Sequence, residues 1–314
     1  MLKTWDAKRT KNKERLGMKE EQELKYGDEN NLVEKVASLL KVNIAHLSDS
    51  TNTQDDKRTS QKPPFSAQDF SVFDHLHSRG RASTQELSEY LSAHPESELL
   101  DIGCGIGGPA RFIAERFVCK VHGIDLTKDF CETAILLNRL CGLDKRIHIT
   151  HGNACDMPYD DNHFDTVWTQ HTSMNIADKK AFYSEIKRVL KPGGTFLFHD
   201  IFSNDSLKSD DECQIHLPVP WASSTEHNHL VAGEAIRDIL KDLGFHREIW
   251  TDVTAETHLW FHNYSATGND QNKLSKDLNP ALFIGKDFPE RAKNLKKNLA
   301  LNKISVIQGV FRKG

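Results

Sequence analysis

Residues 98–108 read Glu98-Leu99-Leu100-Asp101-Ile102-Gly103-Cys104-Gly105-Ile106-Gly107-Gly108, an apolar run that closes on an acid and opens into alternating glycines. Such a run reads as a buried strand, and glycines after it let the backbone take positive φ and come close to a ligand. Pro109 suits the first turn of a helix, which Ala110 to Phe117 continues, and Lys120 to Ile124 supplies a second strand ending at Asp125. This is a βαβ unit. An acid about 20 residues beyond a glycine turn is the usual partner of a ribose diol, so a nucleoside ligand is expected.

The spacing separates two kinds of nucleoside cofactor. A dinucleotide site uses GxGxxG to bring helix N–H groups to a pyrophosphate, whereas this chain has GxGxG and one more glycine. Asp101, at the strand end, would repel a pyrophosphate and could hold an ammonium group, directly or through water. The stretch Asp101, Gly103, Gly105 and Gly107 resembles the first motif, (D/E)xGxGxG, of the class I S-adenosylmethionine-dependent methyltransferases. Two later stretches extend the resemblance in the right order. Residues 151–165 are similar to the family's adenine loop, GDAxxLPFxDxxFD, with Asn153 in place of its acid; residues 185–200 are similar to its helix, LKPGG turn and fifth strand. The resemblance covers roughly residues 65–314 and extends to the small-molecule branch with ubiquinone/menaquinone, tocopherol and sarcosine/dimethylglycine methyltransferases.

It implies an α/β, Rossmann-like fold with a seven-stranded, mostly parallel sheet in the order 3-2-1-4-5-7-6, helices on both faces and a cap made by inserts. Strands are expected at Arg146 to Thr150, Thr166 to Thr169, Thr195 to Asp200, His246 to Val253 and Lys303 to Arg312. Helices are expected at Thr84 to Leu91, Phe130 to Leu140, Lys179 to Leu190 and over residues 232–243. Residues 202–231 and 254–302 exceed what the sheet needs, and long insertions are where lids and specificity usually reside.

Two regions divide the chain: residues 1–62, a charged extension, and residues 63–314, the expected methyltransferase domain. Within the first, residues 1–28 carry mixed charge, and Asn31 to Leu47 place apolar residues at helical spacing, a face for the core or for a second copy in a homodimer. Ser48 to Lys62 has no aliphatic or aromatic residue and reads as a linker. A net charge of −4 gives no basic field for nucleic acid or anionic membrane. The six cysteines show no CxxC pair or zinc spacing. No metal is therefore expected. With no apolar run long enough to span a membrane and no signal-peptide pattern at the start, a cytoplasmic enzyme is expected.

For the site, the resemblance implies that S-adenosylmethionine is held by Asp101 at its amino group, Gly103, Gly105 and Gly107 along methionine and ribose, Asp125 at the ribose hydroxyls, and Leu126, Asn153 and Ala154 at adenine. A helix N-cap role for Asp125 competes with this. The segment Asp74-His75-Leu76-His77-Ser78-Arg79-Gly80 resembles a D-x-x-H-x-x-G stretch over the methionine end, implicating His77 and Gly80. The loop after the fourth strand supplies Gln170 to the cofactor and Asn175 to a substrate, and His171 is the candidate general base, against a purely structural loop role. His199 on the fifth strand and Trp221 in the first insert are candidate substrate contacts. The loop lacks the NPPY-type sequence of enzymes that methylate nucleic-acid amines, so the expected partner is a small-molecule methyl acceptor. Two other functions fit fewer of these features: S-adenosylmethionine binding without transfer, acting through a partner surface, and an NAD(P) oxidoreductase.

Overall fold

The computed structural model describes residues 31–44, 63–204, 206, 214–267 and 274–314. The extension 1–30 and the linker 48–62 lie outside the described residues. The first half contains α1 (Leu32–Leu39), α2 (Ala67–Phe70), α3 (Arg81–Ser88), β1 (Glu98–Ile102), α4 (Gly108–Phe117), β2 (Lys120–Asp125), α5 (Lys128–Leu140), β3 (Ile147–His151) and β4 (Phe164–Gln170). The second contains α6 (Lys179–Val189), β5 (Leu190–Ser203), α7 (Gly233–Asp242), β6 (Phe245–Asp252), α8 (Thr254–Thr267), α9 (Pro280–Ile284), α10 (Phe288–Ala300) and β7 (Ile304–Lys313).

Seven strands form one sheet in the expected order β3-β2-β1-β4-β5-β7-β6. Neighbours from β3 to β5 pair in parallel, and β7 runs antiparallel between β5 and β6. Strand β1 is buried on both faces, which explains the adjacent apolar residues Leu99 and Leu100. Leu99 packs with Val121, Ile147 and Trp168 against α4 and α5. Its neighbour Leu100 points the other way, into a core with Val167, Phe196 and residues of α6 and α7. The order reverses between β1 and β4, so the crevice at their carboxyl ends is where an open α/β sheet takes a ligand.

Several boundaries move from the sequence reading. The helix expected to 47 ends at Leu39, followed by Lys41 at φ 55, and residues 45–47 lie outside the described residues. Its apolar face is used at home: Leu32, Val36, Ala37 and Leu40 pack in the core with Leu136, Leu137 and Leu140 of α5. The helix expected from Thr84 starts at Arg81, directly after Gly80. The LKPGG turn is absorbed into β5, with a register shift between the pairs Phe164–Leu190 and Thr166–Thr195.

The two inserts meet as a cap. Val219, Trp221 and Ala222 pack with Met174, Leu295 and Leu299. Side chains of α10 bind the backbone of the first insert: Arg291 Nη1 donates to Val219 O (2.8 Å), Asn294 Nδ2 to Pro218 O (3.0 Å) and Asn298 Nδ2 to His216 O (3.0 Å). Among the described residues no helix is long and apolar enough to cross a membrane.

Candidate functional site

A cavity of about 220 Å³ opens at the carboxyl ends of β1, β2 and β4. The glycine turn forms its floor, the strap at 74–77 and the loop after β4 its walls, and Pro220, Trp221 and Ile284 of the cap its roof.

The turn is pinned to β2 from below. The amides of Gly103 and Cys104 both donate to Ile124 O, at 2.8 and 3.2 Å. Asp125 accepts from Gly105 N at one carboxylate oxygen and from Thr127 N at the other, both at 2.9 Å. That second bond is an Asx turn leading into α5, whose N-cap position belongs to Thr127. Each Asp125 oxygen retains acceptor capacity, and the residue lines the cavity. Gly105 lies at φ 53 with open space where a Cβ would stand, so the backbone itself faces the cavity. Asp101 is 2% exposed and its Oδ2 has no partner among the described residues. Burial, then the nearby charge of Asp125, push its carboxyl well above the ordinary range.

At the adenine end of the crevice, Leu126, Asn153 and Ala154 line the wall, and Leu126 is 40% exposed despite being aliphatic. Asn153 Oδ1 accepts from Cys155 N at 2.8 Å, so this side chain also shapes the loop.

The opposite end is built from imidazoles. The ring of His171 stacks on His199 with centroids 5.2 Å apart, and His77 lies edge-on at 6.0 Å from each. Ser78 Oγ sits 3.0 Å from His171 Nε2 and 3.2 Å from His199 Nε2. A hydroxyl can donate to one ring and accept from the other, provided the ring it donates to is neutral. Burial, then repulsion from His75 and His199, holds His77 well below the usual imidazole range, and burial, then His199 and His77, does the same for His171. Burial, then the charge of Arg79, brings His199 to about 3.

The orientation of His77 follows from its neighbours. Trp168 Nε1, which can only donate, bonds Gln170 Oε1 at 3.2 Å, and Thr84 Oγ1 donates to the same oxygen at 3.0 Å. The Thr84 oxygen, 3.2 Å from His77 Nε2, therefore accepts from that nitrogen, and Ser83 Oγ, which donates to Ser78 O at 2.9 Å, lies 3.1 Å from His77 Nδ1. Both nitrogens meet a hydroxyl. His77 is locked in place rather than free to exchange protons.

Beside them is a buried ion group. Arg111 of α4, fully buried, donates to Asp74 Oδ2 and Ile106 O, each at 2.8 Å, and to Asn138 Oδ1 at 2.9 Å. Burial would raise the Asp74 carboxyl, but His75 at 2.6 Å and Arg111 hold it at about 2. The loop after β4 has its own fastening: Asp200 accepts from Ser173 N (2.9 Å), and Lys179 Nζ donates to the carbonyls of Ser173, Ile176 and His229. Burial lowers Lys179 to about 8.

A family model described as a methyltransferase domain matches residues 100–198. The sarcosine/dimethylglycine N-methyltransferase of Halorhodospira halochloris is 30% identical over 200 residues, 64% of this chain and 68% of that protein. The chain belongs to the class I S-adenosylmethionine-dependent methyltransferases. A glycine/sarcosine/dimethylglycine N-methyltransferase of Actinopolyspora halophila is 35% identical over 129 residues, 41% of this chain but only 23% of that longer protein. In fold, the chain is similar to a phosphoethanolamine N-methyltransferase of Haemonchus contortus solved with S-adenosyl-L-methionine (TM-score 0.63, 21% identity, 79% of this chain and 57% of that one).

The cavity fits the methyltransferase cofactor on two observations: an unpartnered buried carboxylate oxygen at Asp101, and a glycine floor that a Cβ at Gly105 would fill. Of the sequence-derived site residues, Asp101, Gly103, Gly105, Asp125, Leu126, Asn153, Ala154, His77, Gln170, His171, Asn175 and Trp221 line the one cavity. Three do not. Gly107 is required for another reason, since it lies at φ 85 and its Cβ would fall 2.8 Å from Arg111 Nη1. Gly80 precedes α3, away from the lining. His199 is fully buried, stacks on His171 and lies outside the lining. The sequence reading missed Arg111 and the bridging Ser78. A signal existed for one: Ser78 sits inside the D-x-x-H-x-x-G stretch.

Proposed function

We propose that this methyltransferase acts on a small acceptor that carries no negative charge, at a site where the acceptor is positioned rather than deprotonated by a strong base. The observation behind the substrate class is the sign of the wall. Among the described residues the cavity lining includes carboxylates of Asp74, Asp101 and Asp125 and neutral imidazoles, and neither lysine nor arginine. An acceptor carboxylate or phosphate would lose its hydration there without gaining a cationic partner, at a cost of several kcal/mol. A neutral or cationic amine or alcohol with an apolar portion meets Trp221, Pro220, Met174 and Ile284 instead.

Bound S-adenosylmethionine supplies an electrophilic methyl group on a sulfonium. The chain's own residues hold and orient: Asp101 faces the methionine ammonium, Asp125 the ribose hydroxyls, and Asn153 with Leu126 and Ala154 the adenine. His171, neutral because burial and the other imidazoles disfavour its cation, is a weak base near pH 7. It orients the acceptor by a hydrogen bond and is itself aimed by Ser78 and by the bond from its amide to His199 O at 2.9 Å. Alignment of this kind supplies roughly 7–11 kcal/mol in favourable intramolecular cases. Cys104, Cys119, Cys131 and Cys141 are buried free thiols, which supports a reducing, cytoplasmic setting.

The test is a panel of amines, alcohols, amino acids and phosphoamines, followed by formation of S-adenosylhomocysteine. Turnover of neutral or cationic acceptors is expected, with their carboxylated or phosphorylated counterparts at least tenfold poorer in kcat/KM. Efficient methylation of sarcosine would overturn the substrate class. Tight cofactor binding without turnover on any acceptor would favour a binding protein over an enzyme.

A further inference from the structure

At the other end of the sheet, the side chains of Glu98, His122 and His163 converge. Glu98 is the first residue of β1, His122 lies in β2 and His163 immediately precedes β4. The glycine turn follows the last residue of β1, so the two locations are separated by roughly 13 Å of strand. One ligand-type atom from each of the three residues lies within 4.8 Å of the others, and among the described residues no further cluster of this kind is found. His122 Nε2 is 2.6 Å from Glu98 Oε2, and the ring of His148 on β3 lies 5.5 Å from that of His122. Lys120 holds the other Glu98 oxygen at 2.9 Å, which leaves Oε2 for a different partner.

We propose that Glu98, His122 and His163 form a binding site for a divalent transition metal, with zinc the expected occupant. Two imidazoles and a carboxylate match zinc's preference, at about 2.0–2.2 Å per ligand, and leave a position for water. Tetrahedral ligands at that distance stand roughly 3.4 Å apart, so the His122–Glu98 pair opens by less than 1 Å, and the separations to His163, within 4.8 Å, adjust by at most about 1.4 Å. Two of the ligands come from neighbouring strands of the parallel sheet and the third from the residue that leads into β4. The residues are partly exposed, which gives an ion a path of entry. A bound ion would fasten the amino end of β1 to β2 and to the lead-in of β4. It would stabilise the fold without touching the methyl-transfer cavity.

The experiment uses the untagged full chain, stripped with chelator, titrated with Zn²⁺ by calorimetry and with Co²⁺ by visible absorption. One Zn²⁺ per chain is expected, with Co²⁺ ligand-field bands that Zn²⁺ abolishes and a rise in Tm that EDTA reverses and Mg²⁺ does not reproduce. Glu98→Gln and His163→Gln should each lower Zn²⁺ affinity by at least about tenfold while S-adenosylhomocysteine affinity stays unchanged. His163 lies outside the strands, so its variant remains informative if the Glu98 variant folds poorly. Absence of Zn²⁺ binding to the parent chain, or parent-like affinity in His163→Gln, overturns the proposal.

Discussion

The imidazole of His171 lies nearly parallel to that of His199, with 11° between the ring planes. One serine hydroxyl, Ser78 Oγ, is within 3.2 Å of an Nε2 atom of each. Burial disfavours an imidazolium at both rings, reinforced at His171 by the other imidazoles and at His199 by the charge of Arg79. Both rings are therefore neutral in the folded chain and become protonated freely when it unfolds.

The sign of the pH effect follows. Each folded imidazole titrates below the ordinary value of 6.5, down to about 3 for His199. The unfolded chain therefore binds more protons between those values, and stability falls as pH drops below about 6.5. Each fully buried imidazole contributes up to about 1.4 kcal/mol per pH unit in that window. Asp101, Asp125 and Asp200, all raised, oppose the trend at lower pH. The comparison that isolates the imidazole is urea unfolding of the parent and His199→Gln between pH 7.5 and 5: the variant should show the shallower dependence, and parallel curves would place the effect elsewhere.

Asp101 gives a prediction of opposite sign. Its raised carboxyl is ready to keep a proton in the empty cavity, and an arriving ammonium group favours the ionised form. Ligand binding between pH 5 and 7 should therefore release a proton, seen as a difference in calorimetric enthalpy between phosphate and Tris buffers with S-adenosylhomocysteine. Asp101→Asn should abolish that difference and weaken binding about tenfold to a hundredfold, the loss of a charge-assisted hydrogen bond. Retained affinity in the variant would assign Asp101 a structural role.

What the sequence disclosed was local or periodic. The strand, turn and helix from Glu98 to Phe117 are contiguous, so the glycine floor and Asp101 were readable from one stretch. Arg111 was not. It stands in a helix between Ala110 and Phe112 as a surface residue would, and its partner Asp74 is 37 residues earlier. Gly107 was readable as necessary, but the atom that excludes a Cβ there belongs to Arg111, which the sequence did not point to. The cluster of Glu98, His122 and His163 escaped for the same cause: its members come from three segments and acquire metal-ligand spacing only when the sheet assembles. His199 looked available because alternate residues at a strand's carboxyl end usually are, yet it is fully buried and stacks on His171.

The Asp74–Arg111 pair should behave as a buried ion pair. Removing one partner leaves an uncompensated charge, so Arg111→Met is expected to cost about 3–5 kcal/mol, and the double variant Asp74→Leu with Arg111→Met less than the sum of the single changes. Because Asp74 is held at about 2, its contribution is present above the unfolded value of 3.8 and disappears as pH falls through about 2. A double-mutant cycle by thermal unfolding at pH 7 measures the coupling. Additive losses would mean that the pair does not act as a unit.

Two glycines of the same turn should fail in different ways. A methyl group at Gly105 meets no atom within 4 Å, so Gly105→Ala carries only the cost of a positive φ, about 1–2 kcal/mol, and places its Cβ where the cofactor approaches. At Gly107 the same change adds a 2.8 Å encounter with Arg111 Nη1 to a φ of 85 and leaves the cavity lining untouched. Gly105→Ala should therefore lose cofactor affinity at least tenfold with a modest drop in Tm. Gly107→Ala should show the larger drop in Tm, and whatever folded protein remains should bind cofactor nearly as the parent does. Thermal melts paired with S-adenosylhomocysteine titration distinguish the two, and the reverse pattern would move the ligand-facing backbone from Gly105 to Gly107.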